Sequence, residues 1–238
     1  MNSPILVGIL LIALPVAFNL AFAALSATFG YPDILRRPTD EVLARFREGG
    51  TRLVMLWWVF AMTAVLVAPL AVLLSIALVG GSGTIRTLAA AMGITAAVVQ
   101  FLGLIRWPFL VPYLARVSAE PDLSPARREA VDVVFQSFNR YLGVAVGEHL
   151  GYLFTGAWTI LVALAFWAPG LEWLTISGIV IGAMLVVGTL EFVGPFEKDG
   201  WKLAGWLVPI GYILWSLWLI VLGVLMLIPA VGASCCAS

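Results

Sequence analysis

The sequence predicts an all-α fold: a polytopic transmembrane bundle of about six helices with one short amphipathic helix at its surface. Two observations carry this expectation. Of 238 residues, 62% are hydrophobic and 11% charged, against about 45–50% and about 25% in soluble domains. The apolar residues also come in long continuous runs, each near the about 20 residues a helix needs to cross hydrocarbon. They do not form the short alternating segments of a membrane β-barrel. A soluble fold of this size leaves about 25–30% of its unfolded chain's surface wet, and so apolar a surface needs lipid to cover it.

The whole chain, 1–238, reads as a single integral membrane domain. The first span is expected at 5–29. It has no basic n-region, and its apolar run exceeds the about 7–15 residues of a signal peptide, so it is read as a retained span. Residues 31–50 are polar. Thr39 after Pro38 is a candidate N-cap, Asp40 and Glu41 fall in a first turn, and Gly49-Gly50 would stop the helix. Val42, Leu43 and Phe46 share one side, which predicts a surface helix at 39–48 lying on the membrane. The second span, 53–79, ends at Gly80-Gly81-Ser82-Gly83, a turn too small to be a phosphate loop. The third is 85–114. Ser124-Pro125 then reads as an N-cap and first helical residue, opening a long helix whose apolar part is the fourth span, 142–167. Ala168-Pro169-Gly170 closes it. The fifth span is 171–193, and Glu197 to Gly200 separate it from the last, 201–228.

Basic residues favour the cytoplasmic side. Arg36, Arg37, Arg45, Arg47 and Arg52 fall in the first polar loop, Arg116, Arg127, Arg128 and Arg140 in the third, and Lys198 and Lys202 in the fifth. The second loop has only Arg86. Both termini are therefore expected outside a cell inner membrane. Trp167 and Trp173 at the outer ends, with Trp57, Trp107 and Trp201 towards the inner ends, fit an aromatic belt.

Ionisable residues inside spans are costly and point to function. Here they are Arg106, Glu148, His149 and Glu191. At a helical rise of about 1.5 Å per residue, Glu148 lies about 12 Å beyond Arg140, Glu191 about 9 Å before Glu197 and Arg106 about 15 Å before Arg116. The three charged groups would then share one layer in the inner half of the membrane, unless Arg106 snorkels to the headgroups. Gly143, Gly147 and Gly151 recur every four residues and make a smooth packing face. Tyr152 lies four residues on from Glu148, and His149 is rotated from Glu148 by about 100°. Pro108 and Pro112 should bend or interrupt the third span and could open a pocket.

Other chemistries are excluded. Charge is balanced, 13 basic against 13 acidic residues, which leaves no basic face for nucleic acid. One histidine and the adjacent Cys235 and Cys236 make neither a catalytic zinc site nor a disulfide framework. The only cofactor open to this chain is a single haem or chlorophyll-type pigment on His149; none is required. No lysine lies in the interior of a span, Lys202 standing at the start of the last, and no nucleophile elbow, Walker or Rossmann motif occurs.

Tyr31 to Arg36 with Leu43 to Gly50, Arg106-Trp107 with Pro112, Arg140 to Gly143, Gly147-Glu148-His149-Leu150-Gly151-Tyr152, and Gly211-Tyr212 to Trp218 together resemble a bacterial family of multi-pass membrane proteins of unknown function, of the 4386 type. The resemblance implies a compact bundle of about six helices in a bacterial inner membrane and assigns no activity. The leading expectation is a protein that binds or moves a small or lipidic ligand through a polar pocket formed by Arg106, Glu148, His149, Tyr152 and Glu191. In a second reading it is a non-catalytic accessory subunit contacting membrane lipid and partner subunits or further copies of itself. There Trp158, Trp215 and Trp218 would face the partners. In a third, Glu148 and His149 are an acid–base pair acting on a lipid.

Overall fold

The described residues form six helical rods that run alternately up and down. The computed structural model describes residues 3–78, 81–166 and 170–228. The first rod is α1, Ser3–Phe29. A 3-10 turn at Asp33–Arg36 leads to the second, made of α2, Thr39–Val65, and α3, Val67–Ala77. The third joins α4, Gly83–Phe109, to α5, Val111–Val117. The fourth joins α6, Pro125–Phe138, a π-helical segment, Asn139–Leu150, and α7, Gly151–Ala165. The last two are α8, Glu172–Gly188, and α9, Lys202–Leu227. Among the described residues four rods are long and apolar enough to cross a membrane: Pro4–Phe29, Thr39–Ala77, Gly83–Val117 and Lys202–Leu227.

Local chemistry sets most of the boundaries. Ser124 Oγ accepts from Arg127 N at 3.3 Å, with Pro125 at the first helical position. The third rod breaks at Leu110, between Pro108 and Pro112, neither of which has an N–H for the helical ladder. Gly49-Gly50 does not stop the second rod. The backbone turns at Gly50, φ 54° and ψ −151°, a conformation open to glycine, and the helix resumes. Thr39 does not cap: Pro38 holds the cap position, and the Thr39 hydroxyl donates to Asp132 and accepts from Gln136 Nε2. The fifth rod ends at Gly188 rather than 193. Glu191 therefore lies in a turn, where Leu190 and Glu191 make i to i−3 bonds, and not inside a span.

The packed pairs close a ring: α1 on α2, α2 on α4, α4 on both the π segment and α7, α7 on α8, α8 on α9, and α9 on α1. The turns at 30–38, 118–124 and 189–201 fall at one end, which carries most of the arginines and both lysines. At the opposite end α3 fills the ring, its Leu70 and Leu74 buried with Leu11, Trp158, Trp215 and Trp218. The tryptophans expected to face partner subunits are thus used inside the chain's own core. At the basic end, Phe29, Val42, Leu43, Phe46, Trp57, Trp107 and Phe135 form a second core. The amphipathic helix expected at 39–48 is the first part of α2, and its apolar side meets protein rather than lipid. Trp57 and Trp107 are likewise buried, stacked face to face at 4.4 Å, and not part of a belt. Trp173 is exposed. Trp167, Ala168-Pro169, Cys235 and Cys236 lie outside the described residues.

Candidate polar site within the ring

Between these two cores the ring is lined by polar and aromatic side chains. α4 presents Gln100, Gly103 and Arg106 in a row three residues apart, on one helix face. The antiparallel fourth rod answers with Gly151, Gly147 and Gly143. A Cβ at Gly143 would stand 2.5 Å from Arg106 Nη2, one at Gly147 2.9 Å from Gly103 Cα, and one at Gly151 2.8 Å from Gln100 Cγ. Two of the glycines thus make room for a polar side chain, and the middle one lets two backbones touch.

Arg106 does not snorkel. It is buried, its Nη1 donates to Gly103 O, its Nη2 donates to Asn139 Oδ1 at 2.8 Å, and its guanidinium lies 5.4 Å from the centre of the Trp107 ring. It makes no ion pair within 4.0 Å. Among the described residues the ion pairs are Arg36–Asp33, Arg37–Glu41, Arg127–Glu120 and Arg140–Glu197. The geometry therefore does not contain the direct pairing of Arg106 with Glu148 or Glu191 that a shared layer would allow.

The segment carrying Glu148 is a π-helix twelve residues long. Its i to i−5 bonding widens each turn beyond the 3.6 residues of an α-helix, so the rise per residue is smaller. The distance estimated from Arg140 to Glu148 at an α-helical rise is too long for that reason. With Gly147 against α4, the neighbouring Glu148 turns into the ring. Its charge is felt by Tyr31 at the α1–α2 corner, Arg106 on α4, Tyr152 on α7 and Tyr212 on α9, and it in turn feels Glu191. Glu148 is half-buried, and among the described residues no side chain or backbone group donates to it. Its oxygens are not sealed from open space either.

Tyr152 and Tyr212 meet edge to face at 5.6 Å, and Tyr212 stacks on Phe18 at 6.1 Å. Phe18 continues to Phe60 at 4.9 Å, and Phe60 to Tyr31 at 6.3 Å. Gln100 Nε2 joins three rods, donating to Thr155 Oγ1 at 2.6 Å and Tyr212 Oη at 3.2 Å, with Gly151 O at 3.5 Å. Asn19 Nδ2 donates to Ser216 Oγ at 2.9 Å and ties α1 to α9. Gln100, Asn139, Tyr31 and Tyr212 belong to this site and were missed by a search for charged residues. An uncharged amide in an apolar run, as at Gln100 and Asn19, was the available signal.

His149 points elsewhere. Its Nδ1 is 2.8 Å from Thr189 O, and since a carbonyl only accepts, Nδ1 carries the proton. It holds the end of α8 to the π segment. Glu148 and His149 thus have no common target, which removes the geometry an acid–base pair would need. Glu191, half-buried, stands at the basic-end mouth of the ring. Its carboxylate lies over Gly205 of α9, and it feels the charge of Arg36.

A family model described as Domain of unknown function (DUF4386) matches residues 6–226. No curated protein and no solved structure matches the chain.

Proposed function

The chain belongs to the DUF4386 family, a domain of unknown function, and from that premise we propose a multi-pass protein of a bacterial inner membrane that binds a small or lipidic ligand inside its helical ring. Its basic end faces the cytoplasm, as the distribution of arginine and lysine favours, and both termini face outward. The ligand site is the cluster of polar and aromatic side chains around Glu148. One observation supports this above the rest: among the described residues none donates a hydrogen bond to Glu148, yet it is half-buried within reach of the Arg106 charge. A carboxylate in that position is costly unless something meets it.

The test is access to water. Glu148→Cys, in a chain also carrying Cys235→Ser and Cys236→Ser, is expected to react with a membrane-impermeant charged thiol reagent in inverted membrane vesicles and not in intact cells. Leu20→Cys on the exposed face of α1 should react in neither. A Glu148→Cys protein that stays unlabelled from both sides, or labels from outside, would remove the pocket or reverse its direction.

A further inference from the structure

Resting on the pocket reading above, we infer that the ligand is an organic cation bearing an apolar group, with Glu148 as its counter-ion. An arginine and a glutamate stand at the middle of the ring, and the fold treats them oppositely. Arg106 is already engaged: Nη1 and Nη2 each donate to a protein oxygen, the guanidinium lies over Trp107, and the group is buried against Gly143. It cannot turn to meet an anion without abandoning Gly103 O and Asn139. Its field still reaches Glu148, which offsets part of the cost of holding a carboxylate there. Glu148 is unfinished. An ionised carboxylate is acceptor-only, and among the described residues it has no donor.

The walls repeat the preference. Tyr31, Phe60, Phe18, Tyr212 and Tyr152 follow one another at centroid distances of 4.9–6.3 Å. Aromatic faces carry negative potential and attract ammonium groups. The Gln100 amide is already donating to Thr155 and Tyr212. At this end Glu191 feels the charge of Arg36, which is itself paired with Asp33. An anionic headgroup would meet the Glu148 carboxylate, and the nearby Arg106 is held to Gly103 O and Asn139. A cation with an apolar body meets a carboxylate and ring faces.

The experiment uses the full chain purified in mild detergent and three probes: benzyltrimethylammonium, its uncharged isostere neopentylbenzene, and benzenesulfonate. Binding is read by isothermal titration and by the rise in melting temperature. The cation is expected to bind best and to raise the melting temperature, since a ligand specific to the native state stabilises it. Glu148→Gln should weaken it by about tenfold or more, the scale of a desolvated charge contact, while Glu148→Asp, which keeps the charge, should stay within a few fold. The melting temperature of each variant without probe shows that it folds. Equal binding of cation and isostere with no effect of Glu148→Gln overturns the cation inference and leaves a pocket. Preference for the sulfonate overturns it too. If no probe binds while Glu148→Cys is labelled, this inference alone fails; if no probe binds and the cysteine is unlabelled, the pocket falls with it.

Discussion

Gly147→Val is expected to be strongly destabilising. A Cβ there would stand 2.9 Å from Gly103 Cα and 3.1 Å from Leu142 O. Both obstacles are backbone, so no rotamer change relieves them, and α4 must move away from the π segment. Overpacking a well-packed site costs about 1–3 kcal/mol and sometimes more; with two backbones in contact the loss should be about 3 kcal/mol or more. Separation of the two rods would also take Asn139 from Arg106 and Gln100 from Thr155. Gly151→Ala is the comparison. Its Cβ meets Gln100 Cγ, the middle of a flexible side chain, at 2.8 Å, and the expected cost is one strained hydrogen-bonded contact, about 1 kcal/mol. Unfolding midpoints of the purified proteins, taken by thermal or dodecyl sulfate titration, should rank wild type above Gly151→Ala and Gly151→Ala well above Gly147→Val. Equal midpoints for the two variants would mean that the glycine row is not a backbone contact.

The same row marks where sequence reasoning succeeds and where it stops. Spacing of four residues placed Gly143, Gly147 and Gly151 on one face, and a face of glycines asks for a close neighbour. Nothing local shows that the rod is π-helical there, because what fixes it is a tertiary fit. The Gly103 backbone and the Arg106 and Gln100 side chains of another rod must all be accommodated at once. The six rods were legible because apolar length is a one-dimensional property, and Pro108 and Ser124 act on their own backbone. The end of α8 was not. Leu190, Phe192 and Val193 extend the apolar run past Gly188, and hydropathy reads composition while a helix ends by turn geometry. Trp57 and Trp107 misled for a related reason. At a span end a tryptophan can meet headgroups or another ring, and only the partner decides. Arg106 presented the same choice between lipid headgroups and protein, and Asn139, an uncharged residue on a different rod, settles it.

Trp107→Ala tests the second core, at the basic end, and is expected to free the first part of α2. Trp107 is 1% exposed and stacks on Trp57 with the rings 8° from parallel. It also meets Phe29 of α1 at 5.5 Å, Phe46 of α2 at 5.9 Å and Phe135 of α6 at 6.3 Å. One side chain therefore joins four helices. Truncating a buried tryptophan to alanine costs about 3–5 kcal/mol, partly as lost contact and partly as the cavity left behind. The cavity opens under Phe46, which with Val42 and Leu43 anchors the stretch from Thr39 to Gly50. Gly50 already permits a sharp turn there, so the stretch can lift off before the spans separate. Arg45, Arg47 and Arg52 lie on it or next to it, and Arg47 now donates to Ala115 O at 3.2 Å. Trypsin added to inverted vesicles should then cut this segment in Trp107→Ala and spare it in wild type. Trp107→Phe, which keeps a ring between Trp57 and Phe46, should be nearly as resistant as wild type. Its Arg106 still has Gly103 O and Asn139, so benzyltrimethylammonium binding at Glu148 should be unchanged. A Trp107→Ala protein that loses less than about 1 kcal/mol, outside the range for buried aromatic truncation, and gains no cleavage would show that the stretch is held by lipid after all.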